Sequence, residues 1–568
     1  MSNLMGSPEL KPTDPNDTKP GLNEIVVKTV HYGHQKMIME KDVPVKMRDG
    51  ITLYVNVFRP DKPGKFPVVM SADIYGKDKL SFLENVRHVW PVGVIPTSLF
   101  APMESPDPGF WVPNDYVLIK VALRGSANSE GGLYPFSPTE AEDYYEVIEW
   151  AGVQEWSNGN VGTNGVSYLA ITQWRVAALN PPHLKAMIPW EGVSDLYREW
   201  PFHGGIPDTA FFRFFAKLQV ARWPNKDVED LIAVQKEHPL FDEYWEKRQA
   251  KLANIKVPMF VGGATWSTQG LHNRGTLEGF KQAGSKDKWL EVHGRKEWEY
   301  YYTREVLERQ KLFFDYFLKG IENDWRDMPR VRLEVRESFF QGQTRFENEW
   351  PIARTKYTKL YLDGENMTLQ SKPPKKEIRL TYNAEPNQVE NNELRFRITF
   401  KEDTELTGHM KLRLWVSTDD TDDMDIFVGI KKYDRRGNEV YLPDFNHIET
   451  GQVATGWLRV SHRELDPERT TPYQPWLKHK RLLKLNKGDI VPVEIEILPS
   501  STLFKAGESL VLVVKGSDII TESGSPVAKV LGPTRYAHLE TVNKGTHLVY
   551  AGGKYDSFLL VPVIPAKD

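Results

Sequence analysis

The spacing of apolar and polar positions changes character along the chain. Val43 to Met47, Ile51 to Phe58 and Pro67 to Ala72 are short and rich in β-branched residues, and Arg48-Asp49-Gly50 separates the first two, which predicts a hairpin. Tyr116 to Ala122 is a mostly apolar run suited to a buried parallel strand. Pro138 to Ala151 and Tyr168 to Asn180 carry helical spacing, and His183 to Pro189 and Val257 to Gly262 read as further strands. Strand and helix alternating in this way predict an α/β domain around a mostly parallel sheet. Ser194 to Ala253 breaks the alternation with aromatic-rich helical segments, such as Phe211 to Leu218 and Glu243 to Leu252, and reads as a helical insertion. The sheet pattern then resumes and closes on a strong helix, Thr303 to Leu318. Beyond about residue 330 short strands with Gly, Asn, Asp and Pro turns take over, as in Lys359 to Leu362, Lys411 to Ser417, Asp425 to Lys431 and Ser509 to Lys515, which is the pattern of an all-β sandwich.

A chain of 568 residues exceeds one ordinary core. The expected division is a flexible arm over 1–38, an α/β domain over 39–192 and 254–330, a helical cap over 193–253 and a sandwich over 331–568. A formal net charge of -4 leaves no basic excess, so nucleic acid is not expected as a partner. No cysteine is present, which excludes disulfides, thiolate catalysis and cysteine-ligated metals. Met1 to Asn23 lacks the apolar core of a signal peptide and no apolar run is long enough to span a bilayer, so the expectation is a cytoplasmic protein without membrane contact. Both the cap and the sandwich offer surfaces for a homo-oligomer.

The most informative stretch is Gly162-Thr-Asn-Gly-Val-Ser-Tyr-Leu-Ala170. A serine two residues after a glycine, between a strand and a helix, is the signature of a nucleophile elbow, and Ser167 is the candidate nucleophile. The usual second glycine, two residues after the serine, is Leu169 here. A serine hydroxyl needs a base, and in hydrolases with such an elbow the chain order is serine, acid, histidine. His293, on the loop after Trp289 to Val292, stands where the base is expected. The acid belongs on the loop after the strand Pro258 to Gly262, but Gly263-Ala-Thr-Trp-Ser-Thr-Gln-Gly270 holds no carboxylate. Glu191, after the preceding strand, is the fallback, with Asp195 behind it, although Glu191 reads first as a structural or substrate-binding carboxylate. The oxyanion hole would combine the backbone N–H of Tyr168 with the hydroxyl of Tyr75, from the loop after Pro67 to Ala72. His203-Gly204-Gly205 follows the nucleophile rather than preceding it, so it reads as a turn in the insertion. There is no dinucleotide fingerprint, phosphate loop or His-Glu-x-x-His, and the acidic run Asp419 to Asp425 lacks the glycine and glutamate of a calcium loop. Neither a cofactor nor a metal is expected.

Together these residues resemble the CocE/NonD hydrolases, the family of cocaine esterase and X-prolyl dipeptidyl-peptidases. Met47-Arg-Asp-Gly-Ile-Thr-Leu53 resembles the family's opening hairpin, Arg124-Gly-Ser-Ala-Asn-Ser-Glu-Gly131 its Arg-Gly-x-Gly-x-Ser-x-Gly loop, Gly165-Val-Ser-Tyr-Leu169 its elbow, and Gly552-Gly-Lys-Tyr-Asp-Ser557 its closing segment. The resemblance implies an α/β-hydrolase domain with a helical cap insertion and a C-terminal jelly-roll-like β-sandwich. It also implies a serine hydrolase of small ester or amide substrates with Ser167 as nucleophile, His293 as base, and Tyr75 with the Tyr168 amide as oxyanion hole. The family's acid, an aspartate, maps near Thr268. That departure opens a second expectation, a catalytically weakened or non-catalytic binding protein on the same scaffold.

Overall fold

The chain is described by a computed structural model over residues 26–32, 35–78, 95–266, 271–385, 390–444, 448–519 and 538–565. The strands of its first half are β1 (Val26–Tyr32), β2 (Gln35–Lys46), β3 (Thr52–Pro60), β4 (Phe66–Asp73), β5 (Val117–Ala122), β6 (Ser157–Val166), β7 (Leu184–Trp190), β8 (Met259–Thr265), β9 (Lys288–His293), β10 (Val331–Ser338) and β11 (Gln341–Glu347). They pair in the order β1-β2-β3-β5-β4-β6-β7-β8-β9-β10-β11. From β5 through β10 neighbours are parallel, and the flanking pairs are antiparallel.

Helices cover both faces of the parallel core, so its strands are apolar in nearly every position. β5 is buried throughout, and Val68, Val69 and Met70 of β4 are fully buried. Each such side chain contributes about 1.5–3 kcal/mol of transfer free energy. The helix α1 (Pro138–Gly152) starts at Ser137, whose hydroxyl accepts from Glu140 N, with Pro138 in the first turn where no N–H is needed. The helix α2 (Tyr168–Ala177) is buried along its whole length. After α3 (Asn273–Gln282), the helix α4 (Arg304–Lys319) is capped by Thr303 and stops at Gly320, whose φ is 68°.

Residues 26–38, expected to belong to a flexible arm, instead include β1 and the start of β2, which pair from Val26↔Lys41 to Tyr32↔Gln35. The predicted hairpin is present, with Lys46 opposite Thr52. Between β7 and β8 lie the helices Phe211–Arg222, Leu231–Glu237 and Glu243–Arg248. His203-Gly204-Gly205 forms the turn of a two-residue hairpin there, and its Gly204 carbonyl accepts from Arg459 N.

Past β11 the long strands Thr404–Thr418 and Val491–Phe504 pair antiparallel, and Asp425–Tyr433 lies between Ala454–Arg459 and Ser509–Lys515. Leu412, Leu414, Ile426, Val428, Ile495 and Leu512 fill the space between the layers. The acidic run 419–425 is the connection between two of these strands. Its buried members are paired, Asp425 with Arg459 and Asp423 with Lys484. The sandwich seats against the first half through buried polar bonds. Arg336 of β10 donates to Trp266 O, Val453 O and Ser500 Oγ, and Asn273 Nδ2 donates to Pro499 O. Among the described residues no helix is long and apolar enough to cross a membrane.

Candidate active site

β6 ends in Gly165-Val166 and α2 begins at Tyr168, so Ser167 must turn the chain from strand to helix within one residue. Its φ of 60° and ψ of -116° are conformations an L side chain adopts at a cost of about 1–3 kcal/mol. The neighbours hold it there. Ser167 N donates to the carbonyls of Trp190 and Glu191, and the Ser167 carbonyl takes the N–H groups of Ala170 and Ile171. The side chain stays partly exposed at the carboxyl end of the sheet, whereas the helix behind it is buried. Gly165 has φ 148°, and a Cβ there would lie 2.6 Å from Leu169 Cβ. The glycine missing after the serine is compensated from outside the elbow: at Gly192 an added Cβ would lie 2.6 Å from Ala170 Cβ. The close approach is thus provided by the loop after β7.

His272, at the start of α3, presents Nε2 to Ser167 Oγ at 3.3 Å. Its Nδ1 lies 3.2 Å from Glu191 Oε2 and 3.4 Å from Glu297 Oε1, and all three side chains are buried. Glu191 is itself in the left-handed region, with φ 53°. Ser167, His272 and Glu191 are therefore aligned, and they occur in the chain order 167, 191, 272.

His293, expected as the base, is not at the serine. Its Nε2 lies 3.2 Å from Glu191 Oε1, the oxygen turned away from His272. Its Nδ1 accepts from Arg295 N at 3.1 Å, and its ring packs on Tyr300 with centroids 4.0 Å apart. Burial and the neighbouring Arg295 hold its pKa well below the ordinary histidine value. A neutral ring with Nδ1 accepting carries its proton on Nε2, so His293 turns an N–H rather than a lone pair toward Glu191. β8 and β9 are parallel neighbours, so the residues following them emerge at the same sheet edge, and chain order alone does not say which imidazole reaches the serine. Thr268 lies outside the described residues. Asp195 caps the helix Leu196–Glu199 and pairs with Arg198 Nη1 at 2.8 Å, a structural task.

The Tyr75 hydroxyl lies beside the Ser167 side chain. Burial, with Glu104 and Asp73 nearby, holds its pKa well above the ordinary tyrosine value, so it remains a donor. Asp73 fixes the loop by accepting from Tyr75 N at 2.8 Å while its other oxygen pairs with buried Lys120 of β5. The Tyr168 N–H opens α2, where a helix has no internal acceptor for it. The Tyr168 side chain serves packing instead, its hydroxyl donating to Glu140 Oε2 at 2.5 Å. Burial raises that carboxyl to about 7. Over the site, Phe215 of the insertion stacks on Tyr168 at 6.2 Å and meets Trp200 at 4.7 Å, forming an apolar wall.

Two site residues escaped the sequence reading. His272 follows a strand in the correct chain order for a base, which is a usable signal. Glu297, on the short helix Glu297–Tyr301, carries no local signature. Glu191, His272 and Glu297 bring ligand atoms within 4.8 Å of one another, a donor set compatible with a divalent cation.

Comparison with known proteins agrees with this architecture. Residues 49–295 match the X-Pro dipeptidyl-peptidase (S15 family), and residues 323–560 match the X-Pro dipeptidyl-peptidase C-terminal non-catalytic domain. The chain is 24% identical to cocaine esterase of Rhodococcus sp. over 635 residues, covering 92% of this chain and 98% of that protein. It is 23% identical to a putative Xaa-Pro dipeptidyl-peptidase of Bacillus anthracis, covering 72% and 70%. The crystal structure of a CocE/NonD family hydrolase from Staphylococcus aureus superposes with a TM-score of 0.91 at 60% identity, covering 99% of this chain and 100% of that one. An α/β-hydrolase sheet, a sandwich behind it and an identity of 60% over nearly every residue identify the chain as a serine hydrolase of ester or amide substrates that belongs to the CocE/NonD family.

Proposed function

We propose that the protein cleaves small ester or amide substrates through an acyl-enzyme on Ser167, with His272 as base and Glu191 as the acid. Ser167 Oγ attacks the substrate carbonyl carbon while its proton passes to His272 Nε2. The imidazolium so formed is stabilised by Glu191, which accepts from Nδ1–H. The negative oxygen of the tetrahedral intermediate is met by the Tyr75 hydroxyl and the Tyr168 N–H. Collapse breaks the bond to the leaving alcohol or amine, which takes the proton from Nε2. Water then attacks the acyl carbonyl with His272 again as base, releasing the acid and restoring the serine.

The observation that carries this reading is the contact of Ser167 Oγ with an imidazole whose other nitrogen faces a buried carboxylate. The alternative of a non-catalytic scaffold rested on the missing aspartate, and a carboxylate beside the imidazole removes that ground. A fluorophosphonate probe tests the nucleophile: wild-type protein should label and Ser167→Ala should not. Equal labelling of the two would overturn the assignment.

A further inference from the structure

The helix Phe211–Arg222 buries Phe212, Phe215 and Ala216 against the site, then ends in Gln219 and Arg222 on the same face. Both polar side chains are enclosed, Gln219 at 1% and Arg222 at 7% exposure. Neither amide atom of Gln219 has a hydrogen-bond partner, nor do Nε and Nη1 of Arg222. Among the described residues no ion pair or hydrogen bond to the Arg222 guanidinium is found. Buried polar groups are ordinarily satisfied, and a buried cation almost always is. A guanidinium kept only as a counter-charge would bond a carboxylate. Of the nearby acids, Asp73 is paired with Lys120 and bonds Tyr75 N, and Glu104 accepts from Trp298 Nε1.

Arg222 is tied to the reacting centre through Tyr75. Its Cζ lies 5.5 Å from the Tyr75 ring centroid, the Tyr75 ring meets that of Tyr168 at 5.8 Å, and the Tyr75 hydroxyl lies beside Ser167. Ring size and a van der Waals contact distance place the guanidinium carbon no farther than about 12 Å from Ser167 Oγ. Guanidinium and amide donors a turn apart on one helix face match the acceptor oxygens of a carboxylate.

We propose that Arg222 and Gln219 form an anion subsite, so that the substrates this hydrolase prefers carry a free carboxylate within about six carbons of the scissile carbonyl. This inference rests on Ser167 as the reacting centre, and its test reads binding apart from turnover. Monoethyl adipate and ethyl hexanoate are matched in chain length and differ in the terminal carboxylate. Titrated into Ser167→Ala protein, the adipate ester should bind about 10- to 100-fold more tightly, as for a charge-assisted pair. With wild-type protein its kcat/KM should exceed that of the hexanoate by a similar factor. Adding Arg222→Met should bring both ratios close to 1, Gln219→Leu should reduce them, and Arg222→Lys should retain part. Each ratio compares two esters on the same protein, so a general loss of folded material does not alter it. Equal affinities of the two esters for Ser167→Ala protein, or ratios that persist with Arg222→Met and Gln219→Leu, would overturn the subsite. Tighter adipate binding without any turnover or probe labelling of wild type would support the subsite and remove the nucleophile assignment instead.

Discussion

The two buried histidines make opposite predictions on substitution. In the proposed mechanism His272 accepts the proton of Ser167 in acylation and that of water in deacylation, so His272→Ala removes the base. Loss of such a residue from a serine triad lowers kcat by about 10⁴- to 10⁶-fold, leaving what the oxyanion hole and binding supply. His293 faces the far oxygen of Glu191 as a neutral ring and does not bond Ser167. Its removal takes a polar N–H from beside a buried carboxylate, a loss of about 1–3 kcal/mol. At 1.36 kcal/mol per factor of ten, His293→Ala should lower kcat by about 10- to 100-fold and leave KM nearly unchanged. Steady-state hydrolysis of p-nitrophenyl butyrate, together with the rate of fluorophosphonate labelling, separates the two cases. Labelling should be abolished by His272→Ala and only slowed by His293→Ala. The reasoning fails if His293→Ala is as inactive as Ser167→Ala while His272→Ala keeps a tenth of wild-type kcat. That pattern would return the base to His293 and require its loop to reach the serine.

Other substitutions probe the rest of the site. Glu191→Gln preserves shape but leaves the imidazolium without its counter-charge, and kcat should fall by about 10⁴-fold; a loss under tenfold would move the acid to Glu297. Tyr75→Phe removes an oxyanion donor and should cost about 10²- to 10³-fold in kcat with KM little changed. Gly192→Val forces a side chain into the space of Ala170 Cβ, 2.6 Å from an ideal Cβ, and should destabilise the fold by about 1–3 kcal/mol, read from the urea midpoint. Glu140 supplies a pH test. Its folded pKa of about 7 lies above the ordinary glutamate value of 4.5, so the folded chain keeps a proton that the unfolded chain releases in between. That contribution is fully present below 4.5 and is lost as pH rises through 7, on the order of 3 kcal/mol. Glu140→Gln should therefore reduce the loss of stability between pH 5 and pH 8 in urea titrations, and an unchanged loss would contradict the assignment.

Local pattern was enough to determine which elements form. The hairpin around Arg48-Asp49-Gly50, the buried run of β5, the capped helix after Ser137 and the elbow at Gly165-Val166-Ser167 depend on residues within a few positions of one another, so backbone geometry and periodicity reveal them. The strand at 26–32 was missed because it is held by pairing with β2, and a polar, Pro-rich approach hides such pairing. What the tertiary structure decided is how distant residues meet. Ser167 and His272 are 105 positions apart, and the choice between His272 and His293 is made by two loops leaving neighbouring parallel strands. The carboxylate of Glu191 stands beside His272 from the loop after β7 rather than the one after β8 because Glu191, with positive φ beside Gly192, reaches the same point in space from the adjacent strand. A sheet edge brings the ends of several strands to one place. Sequence therefore specifies the strands and the serine, while sheet order and loop paths select its partners.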